Sequence, residues 1–233
     1  MEPFNHFNLP HIIAVGLTLA SCFVSAKVVK TKKQANIVRH ILIGGLTLKI
    51  LWYHSWQIFF ERTLIWQRHL PLHISQMSII LMIIALVIRR NGFYQFIYYW
   101  AGWSSLLALL FPELNENFPH PKFLEFFLGY LLLLTSISYI YFIEKIKITY
   151  KYLWITAGCL LLYCTIIYPI NLILKTNFLF LVEKPKVSGA MDILPLPPWH
   201  TPFLVLAVLL LLHLQYVLGV SHFCRNIRWR VRH

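Results

Sequence analysis

Seven long apolar runs fill most of this chain, and they constrain its fold more than any other feature. Each holds about 20 residues, the length at which an α-helix rising ~1.5 Å per residue crosses ~30 Å of hydrocarbon. Only 12% of the residues are charged, against about 25% in soluble domains. The runs lie at residues 12–29, 37–60, 72–88, 93–111, 123–143, 152–174 and 202–220. Because the longest connection, 175–201, is too short for a separate soluble domain, residues 1–233 are predicted to form one all-α polytopic membrane bundle of about seven helices.

The basic residues alternate between the two ends of the predicted bundle. Of the 21 lysines and arginines, 14 fall on one side: Lys27, Lys30, Lys32, Lys33, Arg39, Arg89, Arg90, Lys145, Lys147, Lys151, Arg225, Arg228, Arg230 and Arg232. Because cytoplasmic loops are enriched in lysine and arginine, the amino terminus is predicted to face out and the carboxy terminus to face the cytoplasm. The net charge of +13 is therefore attributed to topology and to anionic lipid headgroups at the cytoplasmic face. A nucleic-acid partner is not expected.

Polar residues are concentrated in the outer half of the predicted spans. One interpretation is that these groups hydrogen-bond across helices and hold the bundle together. Polar groups inside a bilayer usually face a wet cavity or the bundle interior. The restriction of these residues to one half of the spans therefore favours a second interpretation, an outward-opening cavity that binds a substrate. The predicted substrate-binding residues are His11, Lys49, Gln76, Glu125, Asn171, Asn177 and His213.

The stretch HLPLHISQM at the mouth of the third run contains the predicted catalytic residues Ser75 and His73. At about 100° per residue, these two side chains face opposite sides of a regular helix and cannot pair as nucleophile and base. A base for Ser75 is therefore expected from another helix. The candidates are His54, His120 and Glu125, with Tyr130 as a further hydrogen-bond partner.

Metal or cofactor chemistry is not expected. His69 and His73 are four residues apart, but Pro71 is predicted to begin the helix, which leaves His69 outside it and His73 within it. The sequence offers no HExxH motif and no obvious third ligand. The four cysteines contain no CxxC pair, so neither a disulfide framework nor a zinc site is predicted.

Lys49 is an ionisable residue predicted to lie near mid-membrane, and its own span holds no obvious acidic partner. Intramembrane charges usually pair with one another. Glu125 is the acidic residue at the most similar predicted depth, because it lies in the first turn of the fifth span. The sequence therefore predicts an ion pair between Lys49 and Glu125 across the bundle.

The outer loop at residues 175–201 combines turn-forming prolines and a glycine with the apolar stretch FLFLV, Phe178 to Val182. Such a stretch is too apolar to extend into water. The loop is therefore predicted to lie over the outer mouth of the bundle as a candidate lid. Its lysines, which include Lys175 and Lys184, would then lie where a phospholipid headgroup is found.

Four segments carry a family resemblance in the order in which they occur. They are PLHIS (71–75), YYWAGWSSLLALLFPEL (98–114), FPHPKFLEFFLGY (118–130) and YPINLILKTNFLFLVEKP (168–185). The succession resembles the YwaF-type bacterial integral membrane proteins, which are related to a eukaryotic lipid acyltransferase, transmembrane protein 164. The resemblance covers nearly the whole chain and implies a multi-pass protein of the cell membrane whose partner is membrane lipid.

The resemblance also implies which residues would catalyse a reaction. In the acyltransferase relatives the catalytic pair is a cysteine in the PLHxC position and a histidine in the FFxxH position, and those positions hold Ser75 and Tyr130 here. One hypothesis is therefore acyl transfer or lipid remodelling with an altered catalytic pair. The alternative is a non-catalytic lipid-binding or solute-binding membrane protein, or a transport component.

Overall fold

Seven α-helices occupy the described part of the chain, and each overlaps one predicted span. The computed structural model describes residues 4–56, 59, 70–184, 195 and 199–230, with side chains described as far as residue 220. The helices are α1 (Leu9–Val28), α2 (Lys32–Trp56), α3 (Ile74–Ile88), α4 (Asn91–Leu110), α5 (Pro121–Phe142), α6 (Tyr150–Leu174) and α7 (His200–Arg230), with a 3-10 turn at Phe178–Phe180. No strand is present in these described ranges, which confirms the all-α prediction.

The bundle is centred on α4 and α5, which pack against each other. Helix α5 also contacts α1, α2 and α3, whereas α4 also contacts α3, α6 and α7. The side chains buried between these helices are mainly aliphatic and aromatic, including Tyr99, Tyr139, Leu133 and Ile140. Packing between α4 and α5 therefore fixes the positions to which the surrounding helices attach.

Five of these helices are long and apolar enough to cross a membrane, namely α1, α2, α5, α6 and the first part of α7. Helix α3 has 15 residues, a length of about 22 Å. Helix α4 contains Tyr94, Gln95, Ser104 and Ser105, which are buried because α3, α5, α6 and α7 pack around it. A helix covered by protein can carry polar side chains that lipid would exclude. The architecture is that of a multi-pass membrane protein.

Hydroxyl groups attach α1 to α5. Ser21 Oγ lies 2.6 Å from Thr135 Oγ1, and the Ser138 hydroxyl donates to the Cys22 carbonyl at 2.8 Å. Bonds of this kind between membrane helices contribute about 0.6 to 2 kcal/mol each. Interhelical hydrogen bonding therefore accounts for some of the polar side chains in the spans without a ligand.

His73 lies just outside α3, and the prediction that it belongs to the helix is wrong. Its backbone is extended, with φ −68° and ψ 143°, and it is the N-cap residue. The Leu72 N–H donates to the Leu70 carbonyl at 2.7 Å, so a turn follows Pro71 instead of the first turn of a helix. His73 is therefore directed by this turn and not by the helical face shared with Gln76.

Candidate functional site

Lys49 of α2 and Glu125 of α5 form the predicted ion pair. Lys49 Nζ lies 2.7 Å from Glu125 Oε1, and the two side chains are 11% and 15% exposed. The ammonium group also lies over the Tyr53 ring, 5.1 Å from its centroid. Gly129 makes room for this arrangement, since a Cβ at that position would lie 2.9 Å from Lys49 Cε. The pair is thus held between packed helices, where it interacts more strongly than an exposed pair would.

Ser75 and Tyr130 interact across the interface between α3 and α5. The Ser75 side chain lies next to the Tyr130 side chain, and Glu125 also interacts electrostatically with Tyr130. The sequence names Tyr130 as a hydrogen-bond partner of Ser75, and that bond stays a prediction. The structure therefore brings two hydroxyls, one carboxylate and one ammonium group to adjoining turns of α2, α3 and α5, and we name Lys49, Ser75, Glu125 and Tyr130 the outer cluster.

The three imidazoles expected near Ser75 have other partners. His120 is the N-cap of α5, and its Nδ1 accepts from the Lys122 N–H at 3.2 Å. His54 packs edge-on against Tyr53, with ring centroids 5.3 Å apart. His73 packs edge-on against Phe178, with centroids 5.0 Å apart. None of these three rings is recorded as a partner of Ser75 in the described part of the chain, so Glu125 remains the candidate that shares a cluster with it.

A cavity of about 610 Å³ lies at the end of the bundle where α6 finishes. Its lining combines aromatic and aliphatic side chains with two carboxylates, two ammonium groups and one imidazole. The residues are His73, Glu113, Asn171, Leu172, Lys175, Thr176, Asn177, Phe178, Phe180, Val182, Glu183 and Lys184. Ser75, Tyr130 and the Lys49–Glu125 pair do not line it. This cavity therefore contains only part of the set of residues predicted to line a single pocket, and a shared cavity that includes the outer cluster stays a prediction.

Two asparagine side chains form the wall of this cavity. Asn171, which is 1% exposed, bonds to both the N–H and the carbonyl of Phe178 at 2.8 and 2.9 Å. Asn177 Oδ1 accepts from the N–H groups of Val182 and Glu183, both at 3.1 Å. Their amides therefore hold the loop in shape, and a ligand in the cavity would meet the wall that they support.

The FLFLV stretch packs against the bundle, as its composition predicts. Phe178 and Leu181 are buried against Ile167 of α6. The His200 Nε2–H donates to the Phe180 carbonyl at 2.9 Å, which joins the start of α7 to the same loop. The rest of the candidate lid, at 185–194 and 196–198, lies outside the described residues, and its closure over the cavity stays a prediction.

Three further predicted substrate-binding residues, besides Lys49 and Glu125, lie apart from the cavity. His11 is fully buried, with Nδ1 accepting from the Phe7 N–H at 3.0 Å and Nε2–H donating to the Leu109 carbonyl at 2.9 Å. Both ring nitrogens are thus used by the main chain. His213 accepts from the Tyr150 hydroxyl at 3.0 Å, at the opposite end of α6 from the cavity. Gln76 Oε1 is buried and makes no hydrogen bond with the described residues.

A second cluster of charged and phenolic groups, missed by sequence reasoning, lies where α3 ends. Arg89 Nη2 is 3.3 Å from Glu144 Oε1, and the Tyr139 hydroxyl donates to the same oxygen at 2.8 Å. Tyr94 interacts electrostatically with Arg39, Arg89 and Glu144. We name these five residues the inner cluster. Their basic members look like loop charges in the sequence, and only the helix packing shows that both arginines interact with Tyr94.

The comparison with protein families matches most of the chain. The model of the TMEM164 family matches residues 6–217, a range that includes both clusters and the cavity. No curated protein and no solved structure matches the chain significantly. A match over this length covers the first six helices and the first part of α7, and the chain therefore belongs to the TMEM164 family.

Proposed function

We propose that this protein transfers or remodels the acyl chains of membrane lipids at the outer cluster. The observation that carries the proposal is the meeting of Ser75 and Tyr130. They occupy the two positions that the family resemblance assigns to a catalytic pair, and they come from different helices. A bundle held together by unrelated polar contacts would have no reason to join these two positions.

The outer cluster contains the groups that acyl transfer to a serine needs. The Ser75 oxygen forms a bond to the acyl carbonyl carbon, the ester bond to the lipid oxygen breaks, and the serine proton finally protonates that leaving oxygen. Tyr130 relays the proton from Ser75 to the Glu125 carboxylate and back. Lys49 Nζ, 2.7 Å from Glu125 Oε1, holds that carboxylate in position. An acceptor hydroxyl then attacks the acyl-serine by the reverse sequence of proton transfers.

The cavity beside His73 supports a role in binding lipid headgroups. Lys175 and Lys184 line it together with Phe178 and Phe180, so ammonium donors and apolar surface lie side by side. A phospholipid presents the complementary groups, an anionic phosphate beside apolar acyl chains, at the boundary between headgroup and acyl chain. On this proposal the cavity binds the headgroup while the ester linkage reaches the first turn of α3.

A fluorophosphonate label tests whether Ser75 is a nucleophile. The purified protein in nanodiscs is expected to be labelled, and Ser75→Ala is expected to lose the label. Ser78→Ala is the matched control, because Ser78 lies one turn further along α3 and its hydroxyl donates to the Ile74 carbonyl at 2.6 Å. Equal labelling of the wild type and Ser75→Ala, or no labelling of either, contradicts serine catalysis.

A second test of the same site replaces Ser75 and Tyr130 by the cysteine and histidine that the acyltransferase relatives carry at these positions. A thiol is intrinsically the better nucleophile and an imidazole the better base at neutral pH, so the double variant Ser75→Cys/Tyr130→His is expected to transfer acyl chains at least about tenfold faster than the wild type. Each single substitution is expected to give less than the double. If the double variant is no faster than the singles, the two positions do not act together.

The second candidate function is lipid binding without chemistry. The neighbour of Ser75 favours this alternative. It is the Tyr130 phenol, which is a weaker base than imidazole or carboxylate at neutral pH. On this alternative, a photoreactive phospholipid labels the wild type and Ser75→Ala equally, and neither turns lipid over. Loss of turnover in Ser75→Ala with unchanged photolabelling supports the enzyme.

A further inference from the structure

The inner cluster lies at the opposite end of the bundle from the cavity and joins the ends of four helices. Arg39 lies near the beginning of α2, Arg89 follows α3, and Tyr94 lies in the first turn of α4. Tyr139 is in the last turn of α5, and Glu144 follows that helix. The five side chains thus converge although they come from different segments of the chain.

The cluster carries more positive than negative charge. Glu144 is its single carboxylate, and Oε1 is shared by Arg89 and Tyr139. Arg39 has no carboxylate partner recorded among the described residues, and its Nε is buried without a hydrogen bond there. A buried donor without an acceptor costs free energy comparable to a lost hydrogen bond. An acceptor supplied by a ligand would remove that cost.

Arg89 leaves the cluster open to such a ligand. Its side chain is 45% exposed, and its recorded contact with Glu144 uses one terminal nitrogen at 3.3 Å. A guanidinium group has five N–H donors, so most of its donors remain free for another acceptor. The Tyr94 hydroxyl, which interacts with both arginines, adds a neutral donor between them.

We propose that Arg39, Arg89 and Tyr94 bind the phosphate group of an anionic membrane lipid at the face where α3 ends. Phosphate suits this donor set because its oxygens accept several hydrogen bonds at once, and guanidinium groups bind it in a bidentate geometry. Exposed basic residues near the cluster, including Arg90 and Lys145, attract anionic lipids to the same face in a less specific way. The proposal does not depend on acyl transfer at the outer cluster.

The test compares two arginines that differ in their surroundings. The full chain is placed in phosphatidylcholine nanodiscs, and binding of a short-chain fluorescent phosphatidylglycerol is titrated. Arg39→Gln is expected to weaken binding about tenfold, because it removes a charge-assisted donor. Arg90→Gln makes the same charge change at an exposed position that has no part in the cluster, and it is expected to weaken binding less than about fivefold. Equal weakening by the two variants, or no effect of Arg39→Gln, overturns the site.

A second variant keeps the test decisive if Arg39→Gln does not fold. Tyr94→Phe keeps the buried ring and removes one donor, and it is expected to weaken phosphatidylglycerol binding about threefold. Binding unchanged in Tyr94→Phe contradicts the assigned donor set.

Soluble glycerol phosphate separates the two sources of the phosphate group. Binding of glycerol phosphate that Arg39→Gln abolishes assigns the site to soluble phosphate esters, whereas Arg39 dependence with phosphatidylglycerol alone assigns it to lipid.

Discussion

The outer and inner clusters show two ways in which one bundle places charge. In the outer cluster one ammonium group matches one carboxylate at 2.7 Å, and both side chains are largely buried. In the inner cluster one carboxylate pairs with Arg89 alone of the two arginines, and this pair is longer and more exposed. Buried charges must be matched within the protein, whereas charges at a helix end can use water or a lipid headgroup. The comparison shows that the charges of the outer cluster are matched within the protein, whereas those of the inner cluster are not fully matched among the described residues.

The largest effect is expected from leaving one charge of the outer cluster unpaired. Lys49→Met removes the ammonium group and leaves the Glu125 carboxylate buried, which is expected to lower the free energy of unfolding by about 3 to 5 kcal/mol. Unfolding in mixtures of detergent and SDS measures it. Lys49→Met/Glu125→Gln is the matched control and is expected to recover most of the loss, because no unpaired charge remains. A loss below about 1 kcal/mol in the single variant would mean that the pair behaves as a surface pair.

A smaller loss of unfolding free energy is expected from removing the Tyr139 hydroxyl, the buried donor to Glu144 in the inner cluster. Tyr139 is fully buried, and Tyr139→Phe leaves Glu144 with one donor fewer, so unfolding is expected to become easier by about 1 to 2 kcal/mol. Tyr168→Phe is the control, because Tyr168 is 49% exposed and such substitutions usually change stability by less than about 0.5 kcal/mol. Equal effects of the two substitutions would show that the Tyr139 hydroxyl contributes nothing specific.

The smallest effect is expected from breaking the exposed ion pair. Arg89→Gln removes the guanidinium group from a pair whose arginine is 45% exposed, so a loss of about 0.5 kcal/mol is expected. The loss should decrease further in high salt, because salt screens exposed charges. Unfolding measured at two salt concentrations checks both statements. A loss as large as that of Lys49→Met would remove the distinction between the two clusters.

The spans and one long-range contact could be predicted from the sequence. Apolar runs of membrane length locate the helices, because few other segments can satisfy their backbone groups in lipid. The Lys49–Glu125 pair followed from depth alone, since a mid-membrane lysine needs an acidic partner near its own level. These successes share one property: they depend on position along the membrane normal.

The remaining features depend on helix rotation and loop geometry, which composition does not specify. His73 was expected within α3 because Pro71 is a common first residue of a helix, but the turn at Leu70–Leu72 delays the helix to Ile74. His120 was expected near Ser75 because of its depth, yet it caps α5 instead. The inner cluster was missed because its arginines belong to the pattern of loop charges. Only the packing of α2, α3, α4 and α5 shows which of them lie near Tyr94.

The most direct test of the claim that Ser75 is the nucleophile of acyl transfer is to detect an acyl adduct on its side chain. The protein in nanodiscs is incubated with a phospholipid that carries one isotopically labelled acyl chain, quenched, digested and examined by mass spectrometry. The account predicts an acyl mass increment on the peptide that contains Ser75, absent in Ser75→Ala and retained in Ser78→Ala. Lipid turnover that proceeds without this adduct, or an adduct that persists in Ser75→Ala, would contradict the account.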